Sequence, residues 1–120
     1  MSIFKSLVVM IPVLFSLGKV EAASMEEQVK GAHAVAALCK SYAEKLGRSG
    51  DVFTKIAEQS LKIAEKRGYT DNFLEYHKDV SELQAYLDRR LLKEHGSISK
   101  IYDGWCYDFY IGLKNKSRNN

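Results

Sequence analysis

The 120-residue chain holds little proline, cysteine or tryptophan, with one proline, two cysteines and one tryptophan. So few cysteines exclude a disulfide-dense scaffold and a zinc ribbon, and so little proline excludes collagen-like and mucin-like chains. The net charge of the chain is only +3, and the basic residues are dispersed along the sequence. Both features argue against a nucleic-acid-binding protein. Hydrophobic residues at 46% and charged residues at 28% are typical of one globular domain.

The one long apolar stretch lies near the N-terminus, over residues 6–17, and Lys5 precedes it. This stretch is shorter than the roughly 20 residues that cross a bilayer, and Pro12 interrupts it. A positive residue, a short apolar run and then small residues are the order found in a secretory signal peptide. The pattern therefore indicates a targeting segment rather than a membrane anchor.

The cleavage site divides the chain into two parts. Val20 and Ala22 fit the third and first positions before a signal-peptidase cut. The sequence therefore predicts a signal peptide over residues 1–22 and a single helical domain over residues 23–120. No apolar segment after cleavage is long enough for a membrane span. We expect an exported protein, either periplasmic or secreted.

Export affects the interpretation of the two cysteines. In an oxidising compartment, two cysteines of a small domain usually pair. Cys39 and Cys106 lie 67 positions apart, and closing a loop of that size stabilises a domain by about 4 kcal/mol. No Cys-x-x-Cys motif occurs, and neither cysteine has another ligand type at metal-site spacing. A structural disulfide is therefore favoured over a redox or metal-binding pair.

Four segments repeat apolar residues at intervals of three and four, the spacing of one helix face. Glycines separate these segments, and a Ser-x-x-Glu capping box opens the first at Ser24. The four predicted helices cover residues 24–46, 51–67, 70–95 and 97–113. Their predicted inward residues are Val29, Ala32, Ala36, Cys39, Ala43 and Leu46; Phe53, Ile56, Ala57, Ser60, Ile63 and Ala64; Phe73, Tyr76, Val80, Leu83, Leu87 and Leu91; and Ile98, Ile101, Tyr102, Trp105, Phe109 and Leu113.

Long helices joined by short loops favour antiparallel neighbours. The sequence therefore predicts an all-α, antiparallel four-helix domain, with one disulfide between the first and last helices. The polar tail over residues 114–120 is expected to fray.

Motifs for catalysis, metal binding and cofactor binding are missing. No Glu-x-x-His, His-Glu-x-x-His, Gly-x-Ser-x-Gly or phosphate-binding glycine loop occurs, so we predict no metal, no cofactor and no enzymatic activity. The spacing places His33 and His77 at the flank of the core. A row of acidic residues on the third helix is interpreted as a solvated face, and the alternative is a hydrolase in which Glu75 and Asp79 share a cleft. The row is Asp71, Glu75, Asp79 and Glu82.

The last helix carries a set of aromatic and basic residues outside its predicted core face. Tyrosine beside basic side chains is typical of a surface that binds a protein partner. The candidate partner-binding residues are Lys100, Tyr107, Tyr110, Ile111 and Lys114. The alternative is that these tyrosines cover another helix. On the third helix, Tyr86 and Leu92 also lie off the core stripe, which points to a second contact surface or a homodimer.

Two short segments resemble a known family. The alanine-rich part of the first helix that contains Cys39 (residues 35–39) and the aromatic run that begins at Cys106 (residues 106–110) resemble the small periplasmic immunity proteins that neutralise type VI secretion amidase effectors. The two segments hold ten residues, and the predicted signal peptide is the third shared feature. It implies a helical, often dimeric periplasmic protein that plugs the active site of a partner enzyme.

Two functional hypotheses follow from these observations. The first is an exported protein-binding module, an inhibitor or immunity protein that neutralises a partner such as an effector or a cell-wall hydrolase. The second is a periplasmic stress chaperone, because acid-stress chaperones are also small, helical and single-disulfide proteins. The absence of a catalytic motif favours both over the hydrolase.

Overall fold

The computed structural model describes residues 24–119, and describes side chains for residues 24–115. The predicted signal peptide lies outside the described residues. The described chain is helical without any strand, which confirms the predicted all-α four-helix class. Its elements are α1 (Met25–Lys45), α2 (Asp51–Lys66), α3 (Phe73–His95), and a last helix in three parts: α4 (Ile98–Lys100), a π-helical turn (Ile101–Cys106) and α5 (Tyr107–Asn119).

Polar side chains cap the starts of α1, α3 and the last helix. Ser24 and Glu27 form the predicted capping box, with each side chain accepting from the other residue's backbone N–H at 3.1 and 3.0 Å. Ser97 caps the last helix by accepting from the N–H of Lys100 at 3.2 Å. Gly96 ends α3 in the left-handed conformation with φ 89°, which a side chain would disfavour. These local signals explain why the predicted helix boundaries are close to those observed.

Helix α1 is the central helix of the domain, because it packs against α2, α3 and the π-helical turn. Its buried residues therefore lie on several sides and not on the single predicted face. The additional buried residues are Gln28, Gly31, Ala34, Val35, Leu38 and Tyr42. Alanine and glycine have small side chains that let neighbouring helices approach closely. This composition allows other helices to pack on several sides of α1.

The core consists of two clusters. The first surrounds the disulfide and joins α1, the first part of α2, the second part of α3 and the last helix. Its buried members are Ala32, Val35, Ala36, Leu38, Cys39, Tyr42, Phe53, Ile56, Leu87, Leu91, Ile101, Cys106, Phe109 and Leu113. The second cluster joins the first part of α1, the end of α2 and the beginning of α3. Its buried members are Val29, Ala34, Ala64, Tyr76 and Val80.

The disulfide joins the first and last helices as predicted. Cys39 and Cys106 are bonded, their Cα atoms are 5.9 Å apart, and both residues are fully buried. The described chain holds no free cysteine. The bond therefore closes a loop that contains all of α2 and α3.

One predicted core residue lies on the surface. Phe73 is 60% exposed, although the helical spacing placed it on the inner stripe of α3. It is the first residue of the helix, and its ring meets the ring of His77, with centroids 4.3 Å apart. The prediction for Phe73 was wrong because the spacing identifies which face of α3 is turned inward. It does not show whether the neighbouring helices reach as far as the first turn of α3.

The last helix changes its winding at the π-helical turn. Ile101 and Cys106 are both fully buried and lie five positions apart, so a regular α-helix would point them about 140° apart. A π turn, with hydrogen bonds between residues five apart, brings both to the core side. Beyond Leu113, the predicted end of the regular helix, the backbone stays helical to Asn119.

Deletion of Gly104 from the π-helical turn tests this interpretation. The deletion reduces the separation of Ile101 and Cys106 to four, which an α-helix satisfies, and Gly104 is itself exposed. We expect a folded protein with its disulfide formed, assessed by thiol titration in denaturant and by thermal unfolding. Deletion of Gly112 is the matched control, because it rotates the buried Leu113 by about 100° and should destabilise strongly. Equal destabilisation by both deletions would contradict the interpretation.

Candidate functional site

A groove lies between the start of α2, the loop before it, and the last helix. Its volume is about 310 Å³, at the lower end of the range for ligand pockets, which suits one large side chain of a partner better than a drug-sized ligand. We call it the aromatic groove, because four of its lining residues are aromatic. The lining residues are Arg48, Ser49, Val52, Phe53, Tyr102, Asp103, Tyr107 and Tyr110.

The inner wall of the aromatic groove is fixed by core packing. Phe53 is 4% exposed and meets the ring of Tyr102 edge-on, with centroids 5.9 Å apart. Tyr102 and Tyr110 are half-buried and pack against the first core cluster. Because these rings are anchored in the core, the groove loses little side-chain entropy when a partner binds.

An ion pair forms the polar edge of the groove. Nη1 of Arg48 donates to Oδ1 of Asp103 at 2.5 Å, and Cζ of the same guanidinium lies over the ring of Tyr102, 5.4 Å from its centroid. Ser99 also donates to the other carboxylate oxygen of Asp103 at 3.5 Å. Both members of the pair are about half exposed, so the pair adds little stability. Its effect is to hold two hydrogen-bonding groups beside the aromatic rings.

The outer rim of the groove is apolar and open to solvent. Tyr107 is 56% exposed and Val52 is 41% exposed. Exposed tyrosine next to arginine is a composition enriched among the residues that dominate binding energy at protein interfaces. The groove therefore combines a rigid aromatic wall, an oriented ion pair and an exposed aromatic rim.

The predicted partner-binding residues divide into two groups. Tyr107 and Tyr110 line the groove, whereas Lys100, Ile111 and Lys114 do not. Lys114 is exposed, and its Nζ lies 5.9 Å from the centroid of the Tyr110 ring. Lys100 is exposed, and Ile111 is half-buried. The structure thus brings two of the five predicted residues into the same depression.

Sequence reasoning missed the other side of the groove. Arg48 and Ser49 belong to the loop between α1 and α2, and Val52 is in the first turn of α2. Val52 carried a signal, since it is an apolar residue off the predicted inner face of α2. Arg48 carried none, because its partner Asp103 lies 55 positions further along the chain.

The acidic row of α3 is mostly solvated, as expected for a helix face. Glu75 is exposed on the first turn, and its backbone N–H donates to the side chain of the cap residue Asn72 at 3.1 Å. Asp79 instead accepts from Lys30 on α1 at 2.7 Å. The hydrolase hypothesis requires both carboxylates in one cleft, and Glu75 lies outside the groove that Asp79 lines.

Lys30 ties the beginning of α1 to α3. Its Nζ lies 2.7 Å from Asp79 and 2.9 Å from Glu26, and its side chain is 15% exposed. Burial lowers the pKa of Lys30, but hydrogen bonds to the two carboxylates outweigh burial and raise it overall. The positive charge is therefore held in the folded protein.

Among the helices of residues 24–119, none has the length and apolar content needed to cross a bilayer. Among the described side chains, no three His, Cys, Asp or Glu residues are grouped so that they could hold a metal ion. No protein-family model, curated protein or solved structure matches this chain.

Proposed function

We propose that the protein is an exported binding module that docks on another protein through the aromatic groove. The observation that carries the proposal is the exposed Tyr107 at the rim of a groove whose inner wall is anchored in the core. The predicted signal peptide supports export, and a buried disulfide is typical of proteins in oxidising compartments. The partner belongs to the class of exported enzymes, an effector or a cell-wall hydrolase, that an inhibitor or immunity protein neutralises.

The groove has the features of the receiving side of an interface. An apolar side chain of the partner enters between Tyr102 and Tyr107, and Arg48 and Asp103 present a donor and an acceptor to the polar groups beside it. Breaking the Arg48–Asp103 pair costs little, because both residues are half exposed. The partner can therefore use either charge without leaving a buried ion unpaired.

Substitution of Tyr107 tests the proposal. The tagged protein, purified with its disulfide formed, is used to retain partners from the host's exported fraction, and affinity for the retained protein is then measured. Tyr107→Ala should raise the dissociation constant roughly 30-fold, because a hot-spot side chain contributes about 2 kcal/mol and each 1.4 kcal/mol is tenfold. Tyr86→Ala on α3 is the matched control, because Tyr86 is another exposed tyrosine and does not line the groove. Weaker binding by this variant alone would indicate that the partner uses the second contact surface predicted on α3.

The outcomes discriminate between the functional classes. A single stoichiometric partner that binds Tyr86→Ala normally and Tyr107→Ala weakly supports the proposal. Equal affinity of the two variants would place the binding surface elsewhere. A broad set of unrelated proteins, retained equally by both variants, would favour the chaperone.

The chaperone is the second candidate function, and one observation favours it. Phe73 and Leu74, adjacent at the start of α3, are 60% and 79% exposed, so a small apolar patch is open to solvent. The test is whether the protein suppresses aggregation of a denatured exported protein, and whether Leu74→Ser removes the effect.

The predicted homodimer is tested separately, by the molecular mass of the protein in solution. Leu92 is 37% exposed, and Leu92→Glu is the variant that should dissociate a dimer formed through this surface.

A further inference from the structure

The polar edge of the aromatic groove holds a cation at the end of a long side chain. The guanidinium of Arg48 lies over the ring of Tyr102, with Cζ 5.4 Å from its centroid, and donates to the carboxylate of Asp103. An aromatic face beside a carboxylate is a favourable place for a guanidinium, because the ring and the negative charge attract it together. We call Tyr102 and Asp103 together the guanidinium site. In the free protein, an arginine of the chain itself occupies it.

Core packing holds the two residues of the guanidinium site in place. The ring of Tyr102 meets the buried ring of Phe53 edge-on, with centroids 5.9 Å apart. Tyr102 and Asp103 both belong to the π-helical turn, which the disulfide ties to α1. Ser99 lies 3.5 Å from the second carboxylate oxygen of Asp103. The positions of the ring and of the carboxylate are therefore set by their own helix and by the core, and not by Arg48.

The side chain of Arg48 is held less firmly than the site that it occupies. Its backbone is fixed, because the N–H of Arg48 donates to the carbonyl of Ala43 at 2.8 Å. The side chain extends from the loop before α2 to the last helix and is 48% exposed, and that of Asp103 is 55% exposed. Breaking such an exposed ion pair costs little. The guanidinium of Arg48 can therefore move into solvent while the backbone stays in place.

The charges around the groove favour a positive ligand once Arg48 has moved aside. Among the described residues that line the groove and their immediate neighbours in sequence, the charged ones are Arg48, Asp51, Asp103 and Asp108. Three carboxylates thus stand against one arginine. Further along the last helix, Nζ of Lys114 lies 5.9 Å from the centroid of the Tyr110 ring, so a second tyrosine of the groove also has a cation near its face.

We propose that an arginine of the partner enters the aromatic groove, displaces the side chain of Arg48 and takes its place on Tyr102 and Asp103. This arginine is the group that fills the groove in the proposed function, on which the assignment rests. Its apolar stem can run between Tyr102 and Tyr107 while its guanidinium reaches Asp103. Arg48 is then an internal competitor, which occupies the site in the free protein and lowers the affinity for the partner.

A partner's arginine can bind the guanidinium site more completely than Arg48 does. Arg48 donates to one carboxylate oxygen of Asp103 through Nη1, and the contact of Ser99 with the other oxygen is long. An arginine that enters along the groove can place two N–H groups on the two carboxylate oxygens. The interface also covers the pair, and hydrogen bonds to charged groups are stronger where water is excluded. The displaced Arg48 returns to water, so no buried charge is left unpaired.

A small probe tests the assignment without a partner. The probe is N-acetyl-argininamide, and the matched control ligand is N-acetyl-citrullinamide, which has nearly the same shape and no charge. Each is titrated at constant ionic strength into the disulfide-bonded protein, and the NMR signals of the Tyr102 and Tyr107 rings are followed. The arginine probe should shift these signals saturably, whereas the citrulline probe should not.

Three variants separate the roles of the charges. Arg48→Ala should bind the arginine probe about fivefold more tightly, because an exposed ion pair no longer competes with it. Asp103→Asn should lose saturable binding, because the carboxylate that receives the guanidinium is gone. Lys100→Ala is the matched control, since it removes an exposed cation three positions before Asp103 that does not line the groove. Its affinity should stay within about twofold of the unsubstituted protein. Circular dichroism checks that each variant is folded.

Several results would overturn the proposal. These are no saturable shift with the arginine probe, equal binding of the citrulline probe, weaker binding by Arg48→Ala, and equal tightening by Lys100→Ala. With a retained partner in hand, Arg48→Ala should raise the affinity and Asp103→Asn should lower it. A partner that loses affinity with both variants contacts Arg48 itself, which would also overturn the proposal. Docking through the groove is tested separately by Tyr107→Ala, so it can hold while the arginine assignment fails.

Discussion

Replacing both cysteines with alanine, Cys39→Ala together with Cys106→Ala, is expected to lower the free energy of unfolding by about 4 kcal/mol. The bond closes a loop over a sequence separation of 67, so its loss frees a large part of the unfolded chain. The total stability of a domain of this size is typically about 5–15 kcal/mol, so the loss is a large share of it. The double variant should therefore unfold at a much lower temperature.

Urea unfolding monitored by circular dichroism measures the effect. The double replacement is preferred to a single one, because a single replacement leaves a free buried thiol. The unsubstituted protein, unfolded with and without reductant, is the control, and the reduced protein should match the double variant. A difference below about 1 kcal/mol would show that the two helices hold each other without the bond, and would contradict the chain-entropy argument.

The second large effect is expected at the centre of α1. Ala34→Leu should destabilise the domain by about 1–3 kcal/mol, because Ala34 is fully buried in the second core cluster and the added carbons have no space. Ala37→Leu is the matched control on the same helix. Ala37 is half-buried and borders an open groove, so its larger side chain can extend along the surface.

Thermal and urea unfolding of the two variants measure this difference. Both substitutions exchange alanine for leucine, a good helix former, so helix propensity does not separate them. Only the surroundings of the side chain differ. Equal stability of Ala34→Leu and Ala37→Leu would contradict the central position of α1.

The fold could be predicted because its signals are local. Glycines follow the ends of the helices, Ser24 and Ser97 cap the starts of two of them, and the apolar spacing identifies the inner face of α2. The role of α1 could not be predicted in the same way. Ala34 is small and only weakly hydrophobic. Its burial therefore adds no large apolar residue to the spacing pattern, and a second buried face cannot be recognised from the sequence. The sequence therefore shows a helix with one apolar face where the structure shows a helix surrounded by others.

The candidate site was predictable in part, for a related reason. Tyr107 is recognisable because a large aromatic residue stands off the core stripe of its own helix. Arg48 and Asp103 form an ion pair only because the fold brings the loop before α2 against the last helix. Their 55-residue separation leaves no local sequence pattern that predicts the pair. The π-helical turn also changes which residues of the last helix face the loop. A uniform rotation of 100° per residue through this turn misplaces the side chains that follow it.

The central position of α1 has a consequence for the order in which the domain can form. The chain is synthesised from its N-terminus, so α1 is completed before any of the helices that surround it. Its buried surface is shared among partners that extend to Leu113 in the last helix. No early pair of helices encloses α1, and the core closes only after the last helix has been synthesised. We therefore expect the domain to stay open while its helices are being made and to fold afterwards as one unit.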